Sequence, residues 1–264
     1  YFVADRYRLP AISVVAALFF TLVVGLGKKR GVGSILGLIF SLDVIAKLLI
    51  PGLIAGKSPV VQSLQAALII AVVSLYLAHG FNRRTSIALA GTLVTLALSV
   101  GMAVLAVSVS RLFGMGSEEA LYIQQLGPIG NLDLRGLLLA GIIVGALGVL
   151  DDTTTVQAAT VEELKQANPA FTFADLYRGG LSVGREHITS LVNTLVLAYL
   201  GSQLLIFILF YAGPNQPLWV TLNSEFIGEE IIRTLVGSAT IILAVPITTL
   251  LAAWYFSRKQ TASA

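Results

Sequence analysis

Two adjacent carboxylates, Asp151 and Asp152, interrupt an apolar stretch of this chain that is long enough to cross a membrane. A charged group near the bilayer centre costs about 2.5–3.5 kcal/mol even on the scale derived from membrane insertion. Such groups are rare at that depth and usually face a bundle interior or a water-filled path. Three threonines follow directly, and we include the last of them, Thr155, in the candidate site. The cluster predicts a buried polar site that binds a proton or another cation.

A hairpin places further polar residues near this pair. The sequence predicts a helix break at Asn168–Pro169 and a turn near residues 171–172. Asp151 precedes this turn and Asn193 follows it, each by about 20 residues at a rise of about 1.5 Å per residue. Two antiparallel helices would therefore bring Asp151 and Asn193 to a similar depth.

The sixth apolar segment repeats polar side chains at helical spacing. Arg185, Thr189 and Asn193 are four residues apart, and Ser190 lies on a stripe beside them. We expect the carboxylate pair to lie within reach of this stripe, with Arg185 nearer the cytoplasm as a counter-charge. Asp43, in the second apolar segment, is expected at the same depth.

Each of these residues also has a purely structural interpretation. Asn, Thr and Ser side chains commonly join membrane helices by hydrogen bonds. Asp43 can pair with Lys47 one turn away on its own helix. The sequence leaves both interpretations open.

The composition defines the class of protein. Of the 264 residues, 56% are hydrophobic and 12% are charged, whereas a soluble domain has about 25% charged residues. The chain has no cysteine, which excludes disulfides and thiolate metal sites. It also lacks the metalloprotease, nucleotide-binding and nucleophile-elbow motifs. We therefore expect no enzymatic activity, no cofactor, no metal and no nucleic-acid partner.

The hydropathy pattern predicts an all-α transmembrane bundle of about seven spans in a single domain, residues 1–264, at about 20 residues per crossing. The predicted spans are Leu9–Gly27, Gly33–Ile54, Val60–Gly80, Ser86–Phe113, Gly136–Gln157, Ser182–Tyr211 and Ile231–Phe256.

Basic residues at the span ends predict the orientation. One set of ends carries Lys28, Lys29, Arg30, Arg83, Arg84, Lys165, Arg178, Arg258 and Lys259. The opposite set carries Arg6, Arg8, Lys57, Arg111 and Arg135. By the positive-inside rule the first set is cytoplasmic, which puts the N-terminus outside and the C-terminus inside.

Several stretches of the chain resemble the YibE/F family of bacterial membrane proteins. They include DRYRLP, GSILGLIFSLDVIAKLLIPGLIAGKSP, LLLAGIIVGALGVLDD and GGLSVGREHITSLVNTLVLAYLGSQLLI. The resemblance covers nearly the whole chain and implies a multispan, permease-like fold in the bacterial inner membrane. Members often have an extracytoplasmic segment upstream, so we expect one to precede residue 1.

The hairpin also resembles, more distantly, the central hairpin of the proton-driven SecD/SecF and resistance-nodulation-division transporters. This resemblance implies that Asp151 or Asp152 carries the proton and that Arg185 and Asn193 support it. The large periplasmic loop of those transporters has no counterpart here.

These observations favour a membrane transporter, or a subunit of a transport machine, coupled to protons through intramembrane carboxylates. The alternative is a non-catalytic membrane scaffold that binds a partner subunit or a lipid. The expected partners are the lipid bilayer and either a second copy of the chain or another membrane subunit. The sequence does not specify the substrate.

Overall fold

The computed structural model describes residues 8–125, 132–204, 208 and 217–258. Its described part is helical and contains no β-strand, which confirms the predicted all-α class. The helices are α1 (Leu9–Val44), a π-helical turn (Ile45–Leu49), α2 (Ile50–Ile54), α3 (Pro59–His79), α4 (Arg83–Val109), α5 (Glu118–Gln125), α6 (Leu134–Ala167), α7 (Phe173–Ser202), α8 (Leu218–Leu222) and α9 (Glu225–Arg258).

The first helix is broken at Lys28, whose backbone has φ 49° and ψ −129°. This break separates a first arm, residues 9–27, from a second arm, residues 29–44, and agrees with the predicted division into two apolar segments. The first arm is exposed along nearly its whole length. The second arm packs against α3, where Gly33 lies directly against the Leu77 carbonyl group. A side chain at residue 33 would prevent this approach.

Local sequence signals explain where the other long helices begin. Asn82 caps α4 by accepting a hydrogen bond from the Thr85 amide at 2.9 Å, and Asp133 caps α6 in the same way. Thr172 and Asp175 form a reciprocal capping box at the start of α7. The predicted break at Asn168–Pro169 is confirmed, because α6 ends at Ala167.

The helix α6 is the centre of the bundle and packs against α3, α4, α7 and α9. It runs parallel to α3, because Gly136 lies against Pro59 and Asp151 lies against Ser74. It runs antiparallel to α4, because Thr154 meets Thr92 while Glu162 meets Arg84. The helix α9 runs parallel to α6 and lies between it, α4 and α7.

This topology brings the predicted basic ends together. We call the side that holds the start of the second arm, the end of α3, the start of α4 and the α6–α7 turn the basic end. It carries Lys29, Arg30, Arg83, Arg84 and Lys165. The other side, the opposite end, holds residues 54–59, the end of α4 and the start of α6.

Among the described residues, five helical stretches are long and apolar enough to cross a membrane. They are Leu9–Ile54, Pro59–His79, Arg83–Val109, Leu134–Ala167 and Glu225–Arg258. The first contains the break at Lys28 and so includes two of the predicted spans. The chain is therefore a multi-pass membrane protein. The predicted sixth span is represented by α7, which is too polar to meet the same criterion, and residues 205–207 and 209–211 of that span lie outside the described residues.

Candidate functional site

Asp151 lies at the middle of α6, on the side that faces α3. The Ser74 hydroxyl group donates a hydrogen bond to its Oδ2 atom at 3.2 Å. The other carboxylate oxygen, Oδ1, is buried and has no hydrogen-bond partner among the described residues. A buried polar atom without a partner is unfavourable unless a ligand, an ion or water completes its hydrogen bonds. One of the two carboxylate oxygens is therefore free to bind a ligand, an ion or water.

A cavity of about 320 Å³ adjoins this carboxyl group, between the second arm of α1, α3 and α6. Its polar lining groups are Ser34, Ser41, Ser74 and Asp151. Ala78 and Ser34 line it close to the basic end, and Ile70 lines it on the other side of Asp151. The cavity therefore extends to both sides of the carboxyl group, as far as Val144 toward the opposite end.

Apolar side chains close the bundle between Asp151 and the opposite end. The largest buried cluster lies there and includes Val44, Leu49, Ala66, Ile70 and Leu147. Gln62 fills the space beside Gly52 and donates a hydrogen bond to the Leu48 carbonyl group at 3.1 Å. Serines thus surround Asp151 within the cavity, and the cavity ends against this apolar cluster toward the opposite end.

The two residues predicted beside Asp151 have different environments. Asp152 is exposed and makes no hydrogen bond or ion pair with the described residues. Thr155 is buried, but its hydroxyl group donates to the Asp151 main-chain carbonyl group at 2.7 Å rather than to the carboxylate. Of the adjacent carboxylates, only Asp151 lines the cavity.

The predicted depth of the α6–α7 hairpin agrees with the structure, but the predicted face does not. Gly145 lies near the Tyr199 hydroxyl group and Gln157 lies against Gly184, so Asp151 and Asn193 are at a similar depth. However, α7 packs on the side of α6 that carries Gln157. Six residues at about 100° each put Asp151 about 120° away around the helix.

The polar residues of α7 are consequently not part of the Asp151 site, and their assignment to it is corrected. Arg185, Thr189, Ser190 and Asn193 are exposed on the outer side of α7. The Thr189 hydroxyl group donates to the Arg185 carbonyl group of its own helix. The side-chain amide of Asn193 makes no hydrogen bond with any described residue.

Asp43 also lies away from the carboxyl site. It is exposed and forms an ion pair with Lys47, with Oδ1 and Nζ 2.6 Å apart. Its structural interpretation, a local pair within one helix turn, is the one that the geometry supports.

The three cavity serines were not predicted from the sequence. Ser34, Gly37 and Ser41 are spaced by three and four residues, which indicates a small, polar stripe on one face of a helix. Only the packing of the second arm and α3 against α6 shows that this stripe faces Asp151. The spacing of this stripe was visible in the sequence, but the helices that it faces could not be identified from the sequence.

Several other buried polar groups near the centre of the bundle are paired, whereas the hydroxyl groups of Thr95, Ser238 and Thr248 have no partner among the described residues. The Thr92 and Thr154 hydroxyl groups are 2.8 Å apart, and Thr240 donates to Ser99 at 2.7 Å. Gln157 donates to both the Gly180 carbonyl group and the Thr249 hydroxyl group, each at 2.7 Å. These contacts join α4, α6, α7 and α9 as interhelical hydrogen bonds.

Within the described part of the chain, no group of three His, Cys, Asp or Glu side chains could hold a metal ion. The candidate site is therefore a single carboxyl group with hydroxyl neighbours. That donor set is suited to exchanging a proton.

A comparison with protein families matches residues 15–258 to the model of the YibE/F-like protein family. The chain belongs to this family. The match spans every helix of the bundle that surrounds Asp151, so the predicted resemblance is confirmed. No curated protein and no solved structure matches this YibE/F-like chain.

Proposed function

We propose that this YibE/F-like protein is a membrane transporter, or a subunit of a transport machine, coupled to protons through Asp151. The observation that carries the proposal is the buried Oδ1 atom of Asp151, which has no partner among the described residues and lies beside a cavity lined by serines. A carboxyl group can bind and release a proton without any change of covalent structure, and its charge alters its interactions with neighbouring helices.

The uneven surroundings of Asp151 support a coupling role. A coupled transporter exposes its site to one side of the membrane at a time, and Asp151 lies nearer the end of the cavity that Ser34 and Ala78 line, which faces the basic end. If the basic end is cytoplasmic, as the positive-inside rule predicts, Asp151 exchanges protons with the cytoplasm in this conformation. We place the protein in the bacterial inner membrane, with the N-terminus outside and the C-terminus inside, and assign it no enzymatic activity.

A direct test measures protonation and proton movement at Asp151. Infrared difference spectra of the purified protein between acidic and alkaline buffer should show a protonated carboxyl band. Asp151→Asn should remove from this band the component of one buried carboxyl group, because the amide keeps the shape and cannot ionise. In proteoliposomes with an imposed pH gradient, the same variant should abolish proton flux.

Asp152→Asn is the matched control, because it removes a neighbouring carboxyl group that does not line the cavity. Asp152→Asn should leave the component of the buried carboxyl group and most of the proton flux unchanged. Normal flux in a folded Asp151→Asn variant would contradict the proposal. The scaffold hypothesis would then be preferred, in which Asp151 only joins α3 to α6.

The route to Asp151 can be tested separately. Because the chain has no cysteine, Ser34→Cys and Ser41→Cys each introduce a single thiol into the cavity. A membrane-impermeant thiol reagent should label both from the basic end, and a cysteine in place of Asn82 would show which side of the membrane that end faces. Labelling of Ser41→Cys only from the opposite end would contradict the proposed route.

A further inference from the structure

The outer face of α7 is polar. Its exposed residues over nearly three turns are Arg185, Glu186, Thr189, Ser190, Asn193 and Thr194. We call this set the α7 polar face. The opposite side of α7 packs on α9, where Gly184 lies against Val245 and Leu195 lies near Gly237.

The α7 polar face lies at the depth of the membrane. Its helix is antiparallel to α6 and α9, which are both candidate spans. Gly184 contacts Gln157 and Tyr199 lies near Gly145, so residues 184–199 run beside the middle of α6. A single copy of the chain would expose Arg185, Glu186 and Asn193 to lipid, and each charge near the bilayer centre costs about 2.5–3.5 kcal/mol.

The described residues of the chain do not satisfy these groups. Thr189 and Thr194 donate to carbonyl groups of their own helix. Arg185, Glu186 and Asn193 make no side-chain hydrogen bond or ion pair with residues 8–125, 132–204, 208 or 217–258. Ionisable groups within a membrane normally pair with one another. The α7 polar face therefore needs a partner at the same depth.

We propose that α7 pairs with α7 of a second copy of this chain, about a two-fold axis along the membrane normal. Such an axis brings residues of equal depth together, so that one surface must complement itself. Arg185 and Glu186 are adjacent, opposite charges, and Arg185 of one copy can therefore pair with the partner's Glu186. The two ion pairs formed in this way between the copies offset the electrostatic repulsion between the two Glu186 carboxylates.

The centre of the face fits the same arrangement. Glu186, Thr189, Asn193 and Leu197 recur at intervals of three and four residues, which forms a seam along one side of a helix. Asn193 lies at the middle of this seam. Its amide has both a donor and an acceptor, so two copies can hydrogen-bond to each other across the axis. Leu197, 59% exposed, continues the seam with an apolar contact.

Disulfide crosslinking in the membrane tests the pairing. Asn193→Cys places one thiol at the proposed axis in a chain without other cysteines, and oxidation should link two copies. The matched control is Val94→Cys on α4, 48% exposed and at a similar depth, because Thr92 is level with Thr154. We expect several-fold more dimer from Asn193→Cys than from Val94→Cys. Equal, low yields would overturn the proposal.

Charge exchange gives a second, independent readout. Arg185→Glu and Glu186→Arg alone each place like charges against one another, so each should lower the dimer fraction several-fold in single-molecule photobleaching. The double variant Arg185→Glu/Glu186→Arg restores complementarity and should recover the dimer. Unchanged dimerisation in both single variants would overturn the proposal, as would crosslinking of Asn193→Cys to a different membrane protein instead of a second copy.

Discussion

Asp151 and Gln157 lie six residues apart on α6, yet their polar groups meet different environments. Gln157 is buried, and its amide nitrogen donates two hydrogen bonds to α7 and α9. Asp151 is half-buried and accepts a hydrogen bond from Ser74 through one oxygen, while its other oxygen has no partner in the described part of the chain and lies beside a cavity. Groups whose hydrogen bonds are satisfied hold helices together, whereas an unsatisfied carboxyl group next to space can bind something. The comparison therefore contrasts a satisfied polar group that joins helices with the unsatisfied carboxyl group to which we assign proton coupling.

The strongest test of this contrast fills the cavity. Gly148 lines it, and a Cβ atom built there meets nothing within 4 Å, so Gly148→Leu should fold normally while it fills the space beside Asp151. We expect nearly complete loss of proton flux in proteoliposomes. Gly141→Leu is the control, because residue 141 is two turns away on α6, equally uncrowded and outside the cavity. Equal flux in the two variants would show that proton flux does not require the space in this cavity.

The paired side of the contrast predicts a loss of stability. Gln157→Leu removes two buried hydrogen bonds, to the Gly180 carbonyl group and to the Thr249 hydroxyl group, which should lower the free energy of unfolding by about 1–3 kcal/mol. Asp151→Asn should not lower it, since the amide keeps the bond to Ser74 and removes a buried charge. Thermal unfolding in detergent measures both. The contrast would fail if Asp151→Asn were the more destabilised variant.

A smaller effect is expected for the hydroxyl pair between α4 and α6. Thr92→Val conserves shape and removes one hydrogen bond, which in membrane proteins contributes about 0.6 kcal/mol on average. Thr154→Val should cost a similar amount, and the double variant should cost less than the two single effects together. Additive losses would indicate that the hydroxyl groups act independently and that shape alone joins these helices.

The smallest effect concerns a hydroxyl–carboxylate contact at the basic end, outside the membrane-spanning segments. The Thr172 hydroxyl group, and then its amide, hold the pKa of Asp175 below its usual value. This contact therefore stabilises the fold at neutral pH and is lost as the pH falls through the lowered pKa. Thr172→Ala should lower the melting temperature slightly at neutral pH and have less effect in acid. An equal loss at both pH values would show that the cap does not depend on the Asp175 charge.

The sequence predicted those features that depend on distance along a helix. The apolar lengths predicted the all-α class, the motif Asn168–Pro169 predicted where α6 ends, and the rise per residue predicted that Asp151 and Asn193 share a depth. These predictions hold because helical geometry is the same in every sequence.

The features that depend on rotation around a helix could not be predicted in this way. Asp151 faces α3 rather than α7 because α3, α4, α7 and α9 surround α6, and this arrangement is absent from the hairpin's own sequence. The pairing of Thr92 with Thr154 joins residues that are 62 positions apart. Ser74 likewise became a candidate only once α3 was placed beside α6.

The π-helical turn at residues 45–49 has a consequence for chain length. It lies between the cavity, which Ile45 lines, and the packed cluster that contains Leu49. Its wider hydrogen-bond pattern accommodates one more residue than an α-helical turn would. Deletion of the exposed Ala46 could therefore convert the turn to α-helix while Gly52 stays against Gln62. A deletion within the second arm would rotate everything beyond it by about 100°. The π-helical turn is therefore where this part of the chain tolerates a change in length.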